Sequence, residues 1–81
     1  MNIIVKYSDS AFKHRFSIKD IEKALKNPVY DDILDEMAGK HLLIGFDGKG
    51  RLLEIIYNVI GYNIIKIFHV MKCRRAFLTL I

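Results

Sequence analysis

The apolar residues of this chain fall into short runs with two different periods, and those periods predict its elements. Ile3-Ile4-Val5 is a β-type run that fits an edge or first strand. Ser8 or Ser10 can cap a short helix reaching about His14. Ser17 is the better cap: its hydroxyl can accept the backbone N–H three residues on, where Asp20 comes close to a capping box. From there Ile18, Ile21, Ala24 and Leu25 follow the i, i+3, i+7 spacing of one buried helical stripe. Asn27-Pro28 ends that helix, because the residue before proline is pushed out of the helical region. The acidic stretch from Val29 to Lys40 fits a short strand or a loop, and the pattern leaves both open.

Three strand-like runs follow: Leu42 to Phe46, Leu52 to Val59, and Ile64 to Met71. Asp47-Gly48-Lys49-Gly50 between the first two is a hairpin signal, and Gly61-Tyr62-Asn63 gives the second turn. A last helix fits Lys72 to Leu80, with Cys73, Ala76, Phe77 and Leu80 on one stripe. The order predicts an α+β fold: a short first strand, two N-terminal helices, a three-stranded antiparallel meander and a C-terminal helix. Helices would pack on one face of the sheet and leave the other partly open.

At 81 residues the chain fits a single domain, residues 1–81. A hydrophobic fraction of 52% excludes intrinsic disorder. The single cysteine, Cys73, cannot form an internal disulfide, so the core has to be apolar and a reducing cytosol suits the chain. The opening from Met1 to Lys6 lacks the pattern of a secretion signal, and no apolar run approaches the roughly 18 residues of a membrane span. A cytoplasmic location is the expectation. Net charge is +4 and unevenly spread. Residues 1–30 carry six Lys/Arg against three Asp/Glu, residues 31–54 three against six, and residues 55–81 four with no acid. Two basic ends suit a polyanion such as nucleic acid, although surplus lysines also serve solubility.

Few residues offer chemistry. His69 interrupts an apolar run, Ile67-Phe68-His69-Val70-Met71, and alternation puts it on one face with Ile65, Ile67 and Met71. It is either a core histidine satisfied by backbone or a general acid/base, since imidazole changes charge near neutral pH. Lys72, Arg74 and Arg75 follow within six residues, at a strand-to-helix junction suited to anions. Glu54 breaks Leu52-Leu53-Glu54-Ile55-Ile56-Tyr57 and lies with Leu52, Ile56 and Asn58. It reads as a solvated outer position, or as a carboxylate that orients a base or pairs with an arginine on the next strand. Lys13-His14-Arg15 reads as a solvated helix end or as a second basic lobe for phosphate. Tyr57 and Tyr7 can stack on a base, or pack half-buried in strands. No cofactor is implied: Asp47-Gly48-Lys49-Gly50 lacks P-loop spacing, and His14, His41 and His69 are too dispersed to predict a metal site.

Three segments, taken in order, carry a family resemblance. Phe12-Lys13-His14-Arg15-Phe16-Ser17-Ile18-Lys19-Asp20-Ile21, with Ala24-Leu25 and Asn27-Pro28, resembles a stretch of small bacterial BrnT-like toxins, within the wider RelE/ParE-like group. Leu42 to Asp47, then Gly50 to Glu54, resembles their central hairpin. Ile67 to Leu78 is similar to the ending of a close branch of toxin-like proteins. The resemblance implies the toxin of a type II toxin–antitoxin pair, an endoribonuclease of the mRNA interferase kind that works without a metal. It implies RNA as substrate and an antitoxin protein as partner. Arg15 stands where the family usually has Gly, which argues against a left-handed helix end there. On this reading His69 is the acid/base, Arg74 and Lys72 clamp phosphate, His14 is a second acid or binding group, and Glu54 orients one of them. Lys13, Arg15, Tyr57 and Arg75 are candidates for RNA binding. The alternative is a binding module with the same fold and no catalysis.

Overall fold

A computed structural model describes residues 3–81; Met1 and Asn2, which open the stretch read for a secretion signal, lie outside the described residues. Five strands form one mixed sheet: β1 (Ile4–Tyr7), β2 (Pro28–Asp35), β3 (Lys40–Phe46), β4 (Leu52–Gly61) and β5 (Ile64–Lys72). Their spatial order is β1-β5-β4-β3-β2. Strands β2 to β5 are an antiparallel meander, while β1 pairs parallel with β5 along Ile4–Ile64 to Tyr7–Ile67. Helix is scarce: a 3-10 turn at Asp9–Phe12, helix α1 (Ile18–Lys26) and a single turn, α2 (Arg75–Leu78). Among the described residues no helix is long and apolar enough to cross a membrane.

The sheet therefore corrects the expected fold. The acidic segment is a strand, so the meander has four strands. The first of the two expected N-terminal helices is only the 3-10 turn. The last helix is one turn, because Lys72 is still paired in β5 with Leu53 and Ala76 and Leu80 stay exposed. β2 tolerates Asp31, Asp32 and Asp35 because it is an edge strand, where charge discourages further pairing.

Helix α1 forms as expected. Ser17 accepts the Asp20 N–H at 3.1 Å, and the Asp20 carboxylate accepts the Ser17 N–H at 3.0 Å. Asn27 closes the helix by donating its backbone N–H to Ala24. Ile21 and Ala24 are fully buried and pack with Leu43, Leu53, Ile55, Tyr57, Ile67 and Val70 in one core. The helix seats so closely that a Cβ at Gly45 would collide with the Ala24 carbonyl, so only glycine fits there.

The turns also follow the sequence. Asp47 Oδ1 accepts the N–H groups of Lys49 and Arg51, its Oδ2 accepts Arg51 Nε at 2.6 Å, and Gly50 takes a positive φ of 77°. Asn63 (φ 64°) turns β4 into β5. Arg15 is the exception, at φ 65°. The left-handed bend that its side chain argued against is present, and it redirects the chain from the 3-10 turn into the cap of α1.

Candidate functional site

Register fixes where the polar residues go. Ile44, Glu54 and Met71 lie opposite one another across β3, β4 and β5, as do Leu43, Ile55 and Val70. Side chains alternate, so the first row faces away from α1 and the second toward it. His69 shares a face with Met71 as expected, but not with Ile65 and Ile67, which were expected there too. It lies on the other face, because Ile56 pairs with His69 while Tyr57 pairs with Ile67, leaving Phe68 as an extra residue. That bulge turns Phe68 and His69 onto the Glu54 side. The 3-10 turn holds it in place: Ser10 Oγ donates to the Phe68 carbonyl at 2.6 Å and Ser8 N–H donates to Ile67 at 2.9 Å.

Glu54 is the centre of the site. It is fully buried, so the solvated reading fails; it pairs with an arginine, but with Arg74 just after β5 rather than with one on the next strand. Arg74 grips it from three donors: backbone N–H to Oε1 at 2.9 Å, Nε to Oε1 at 3.0 Å and Nη2 to Oε2 at 2.8 Å. His69 Nε2 meets Oε2 at 2.9 Å. Burial pushes the Glu54 carboxyl up, but the Arg74 and His69 hydrogen bonds outweigh it and hold the group below the usual carboxylate range. An ionised carboxylate only accepts, so His69 carries its proton on Nε2 and leaves Nδ1 as the basic nitrogen.

The outer edge of the cluster meets solvent. The His69 side chain is 26% exposed and that of Arg74 52%. Arg74 Nη1 makes no hydrogen bond among the described residues, so two N–H donors remain for a ligand while Nε and Nη2 hold Glu54. His14, exposed on the turn after the 3-10 segment, brings its ring edge-on to His69 with centroids 5.8 Å apart. Four residues spread over sixty positions thus converge: His14, Glu54, His69 and Arg74. Beside them is a hollow of about 500 Å³ lined by Lys40, Ile56, Asn58, Phe68, His69 and Arg74.

The remaining candidates divide. Lys13 and Arg15 flank His14 on the same exposed turn, and Arg75 is exposed at the start of α2. Lys72 lies in register with the core residue Leu53, on the α1 face, so it does not join Arg74. Tyr57 is buried in the core, its ring stacked on His41 at 5.0 Å and its hydroxyl donating to Asp31 at 2.7 Å. His41 covers one face of the ring, and little of the side chain reaches solvent. Burial and the Asp31 carboxylate both raise its hydroxyl above the ordinary tyrosine value, which keeps it a neutral donor. Tyr7 also lies on the α1 side, half-buried against the core. A wider cleft, about 700 Å³, is on that side too, but its walls are mainly aliphatic and its Tyr57 and Asp31 satisfy each other. His69 and Arg74 line the smaller hollow instead. No group of His, Cys, Asp and Glu able to hold a metal occurs among the described residues.

Sequence reasoning missed Lys40, Asn58 and Phe68. Each is an ordinary strand residue until register and the bulge bring it to the hollow. Comparison with family models, with curated proteins and with solved structures gives no match.

Proposed function

We propose that this chain is an RNA-cleaving toxin of a toxin–antitoxin pair, with the Glu54–His69–Arg74 cluster as its active centre and His14 as a second imidazole. The observation that carries this is a carboxylate buried at 0% exposure that fixes the tautomer of a solvent-facing histidine. A carboxylate behind a histidine orients the ring and stabilises the imidazolium formed when it takes a proton. Nothing in packing requires that device where its neighbours in register are Ile44 and Met71.

In the reaction, His69 Nδ1 removes the proton of a ribose 2′-hydroxyl. The freed oxygen attacks the adjacent phosphorus, the bond from phosphorus to the 5′ oxygen breaks, and a protonated His14 supplies the proton that this oxygen needs. The products are a 2′,3′-cyclic phosphate and a 5′-hydroxyl end. The outward Nη1 of Arg74 bonds the phosphoryl oxygens as charge builds on them. Lys13 and Arg15 add positive charge next to His14. An antitoxin with an acidic or amphipathic segment would cover this basic rim.

The test is cleavage of a fluorescent short RNA, free and in translating extracts, by protein released from its co-expressed partner. His69→Ala should lose about 10²–10⁴-fold in rate per folded molecule, and it should also melt somewhat lower, because it takes one hydrogen bond from the buried Glu54 carboxylate while Arg74 keeps the rest. Arg74→Ala should weaken binding and rate together. A stable, fully active His69→Ala protein would sink the assignment. A wild-type chain that cuts no RNA and harms no cell would leave the binding module as the function.

A further inference from the structure

One transverse row of the sheet gathers three lysines and an asparagine. Lys6 on β1 lies directly opposite Lys66 on β5, Lys66 opposite Asn58 on β4, and Asn58 opposite Lys40 on β3. The row crosses four strands on the face that carries Glu54 and His69, two register positions from His69. Adjacent strands lie roughly 4.8 Å apart, so the row spans about 14 Å. Like charges directly opposite each other destabilise a sheet, yet Lys6 and Lys66 are paired. None of the three lysines forms an ion pair among the described residues.

Asn58 adds an independent sign of a ligand. Its Nδ2 donates to the Ala38 carbonyl at 3.2 Å, which fixes the amide with Oδ1 turned the other way. That Oδ1 is buried and has no hydrogen-bond partner. A buried acceptor left unpaired costs free energy, and Asn58 lines the hollow beside His69. Phe68, put on the same face by the bulge, offers a ring with Lys66 Nζ 5.6 Å from its centroid.

We infer that the Lys6–Lys66–Asn58–Lys40 row is a track for single-stranded RNA, which crosses the strands and leads one phosphate to His69 and Arg74. The lysines neutralise backbone phosphates, Phe68 stacks a base, and Asn58 Oδ1 accepts an N–H from a base edge when the ligand enters the hollow. The ligand class rests on the ribonuclease reading; the anionic track itself does not.

Binding of a fluorescein-labelled, fully 2′-O-methylated ten-residue RNA, which cannot be cut by 2′-hydroxyl attack, separates the two. Replacing Lys6, Lys40 and Lys66 by Gln should weaken binding roughly 100-fold at 0.1 M salt and lower the slope of log affinity against log salt by about 2. A control chain with Lys19, Lys23 and Lys26 of α1 changed to Gln loses the same charge on the opposite face and should bind as the wild type does. Equal losses in both triple variants would mean that net charge alone binds RNA, and would overturn the track. So would wild-type RNA binding by the Lys6/Lys40/Lys66 variant, even if it had lost an acidic protein partner. If the track variant alone loses RNA binding while the wild type cuts nothing, the track stands and the ribonuclease reading falls.

Discussion

On the α1 face the row Leu43–Ile55–Val70 holds three buried aliphatic side chains; on the opposite face the neighbouring row, Ile44–Glu54–Met71, holds a carboxylate in the middle. The same three strands supply both. The first row closes by apolar contact with Ile21 and Ala24 of α1 and asks nothing further of the chain. The second row is stable only if the charge of Glu54 is answered, and the answer comes from β5 and the residues after it, His69 and Arg74. One face thus makes the fold and the other recruits polar groups that can do chemistry. Each face can be broken without touching the other, and the expected effects run from helix docking down to one backbone angle.

The largest effect belongs to the α1 face. Gly45→Ala drives a methyl group into the Ala24 carbonyl, a backbone atom that cannot yield unless α1 lifts. The cost should be about 3 kcal/mol or more, at the upper end for overpacking. For 81 residues at about 0.05–0.15 kcal/mol of stability each, that removes roughly a quarter or more of the total. A urea midpoint within error of the wild type would show that α1 is not seated on β3 in solution.

Glu54→Gln attacks the other face. Losing the carboxylate should cost about 2–3 kcal/mol, at or below the lower end for broken buried pairs because the half-exposed Arg74 can turn to water. Cleavage should fall as well, since the His69 tautomer is no longer imposed. The pH dependence has a definite sign. The folded Glu54 carboxyl titrates below its ordinary value of 4.5, so its stabilisation is complete above that pH and is lost as pH falls through the lower folded value. Asp47 behaves alike: burial raises its carboxyl, but bonds from Arg51 and Lys49 bring it below the usual range. Acid unfolding of the wild type should therefore begin below about pH 4.5, with a shallower decline in Glu54→Gln. Parallel curves would place the carboxylate in solvent.

The two faces also differed in how much the sequence disclosed. The Ser17–Asp20 cap and the Asp47–Gly50 hairpin are local patterns and formed as read, and the α1 stripe buried Ile21 and Ala24 while Ile18, read as part of it, is exposed. β2 escaped because acidic residues on an edge strand leave no apolar alternation. The parallel pairing of β1 with β5 joins residues sixty positions apart, for which no local signal exists. The α2 stripe had the right period but too few partners to extend beyond one turn. His14, Glu54, His69 and Arg74 were visible singly, as polar breaks in apolar runs or members of basic clusters. Their convergence was not, because it depends on one extra residue, Phe68, whose bulge changes the face of His69.

Tyr57→Phe sharpens the comparison. The hydroxyl bond to Asp31 lies on the α1 side, so its loss should cost about 1 kcal/mol, or roughly 4–8 °C in melting temperature, with RNA cleavage unchanged. A cleavage defect without a stability change would mean that Tyr57 meets substrate after all, and that the division between the faces is not a division of labour.

The smallest effect, and the only stabilising one, is at Arg15. Its φ of 65° lies in the left-handed region, where a side chain costs roughly 1–2 kcal/mol. Glycine has no such penalty but gives up more freedom on folding, about 0.5–1 kcal/mol. Arg15→Gly should therefore stabilise the chain by about 0.5–1 kcal/mol, the difference between those two terms. It also removes a positive charge next to His14. If Arg15 helps hold RNA, the variant will melt higher and bind more weakly, which no purely conformational role produces. A variant that melts lower would show instead that the Arg15 side chain, not its backbone, secures the turn that carries His14 to His69.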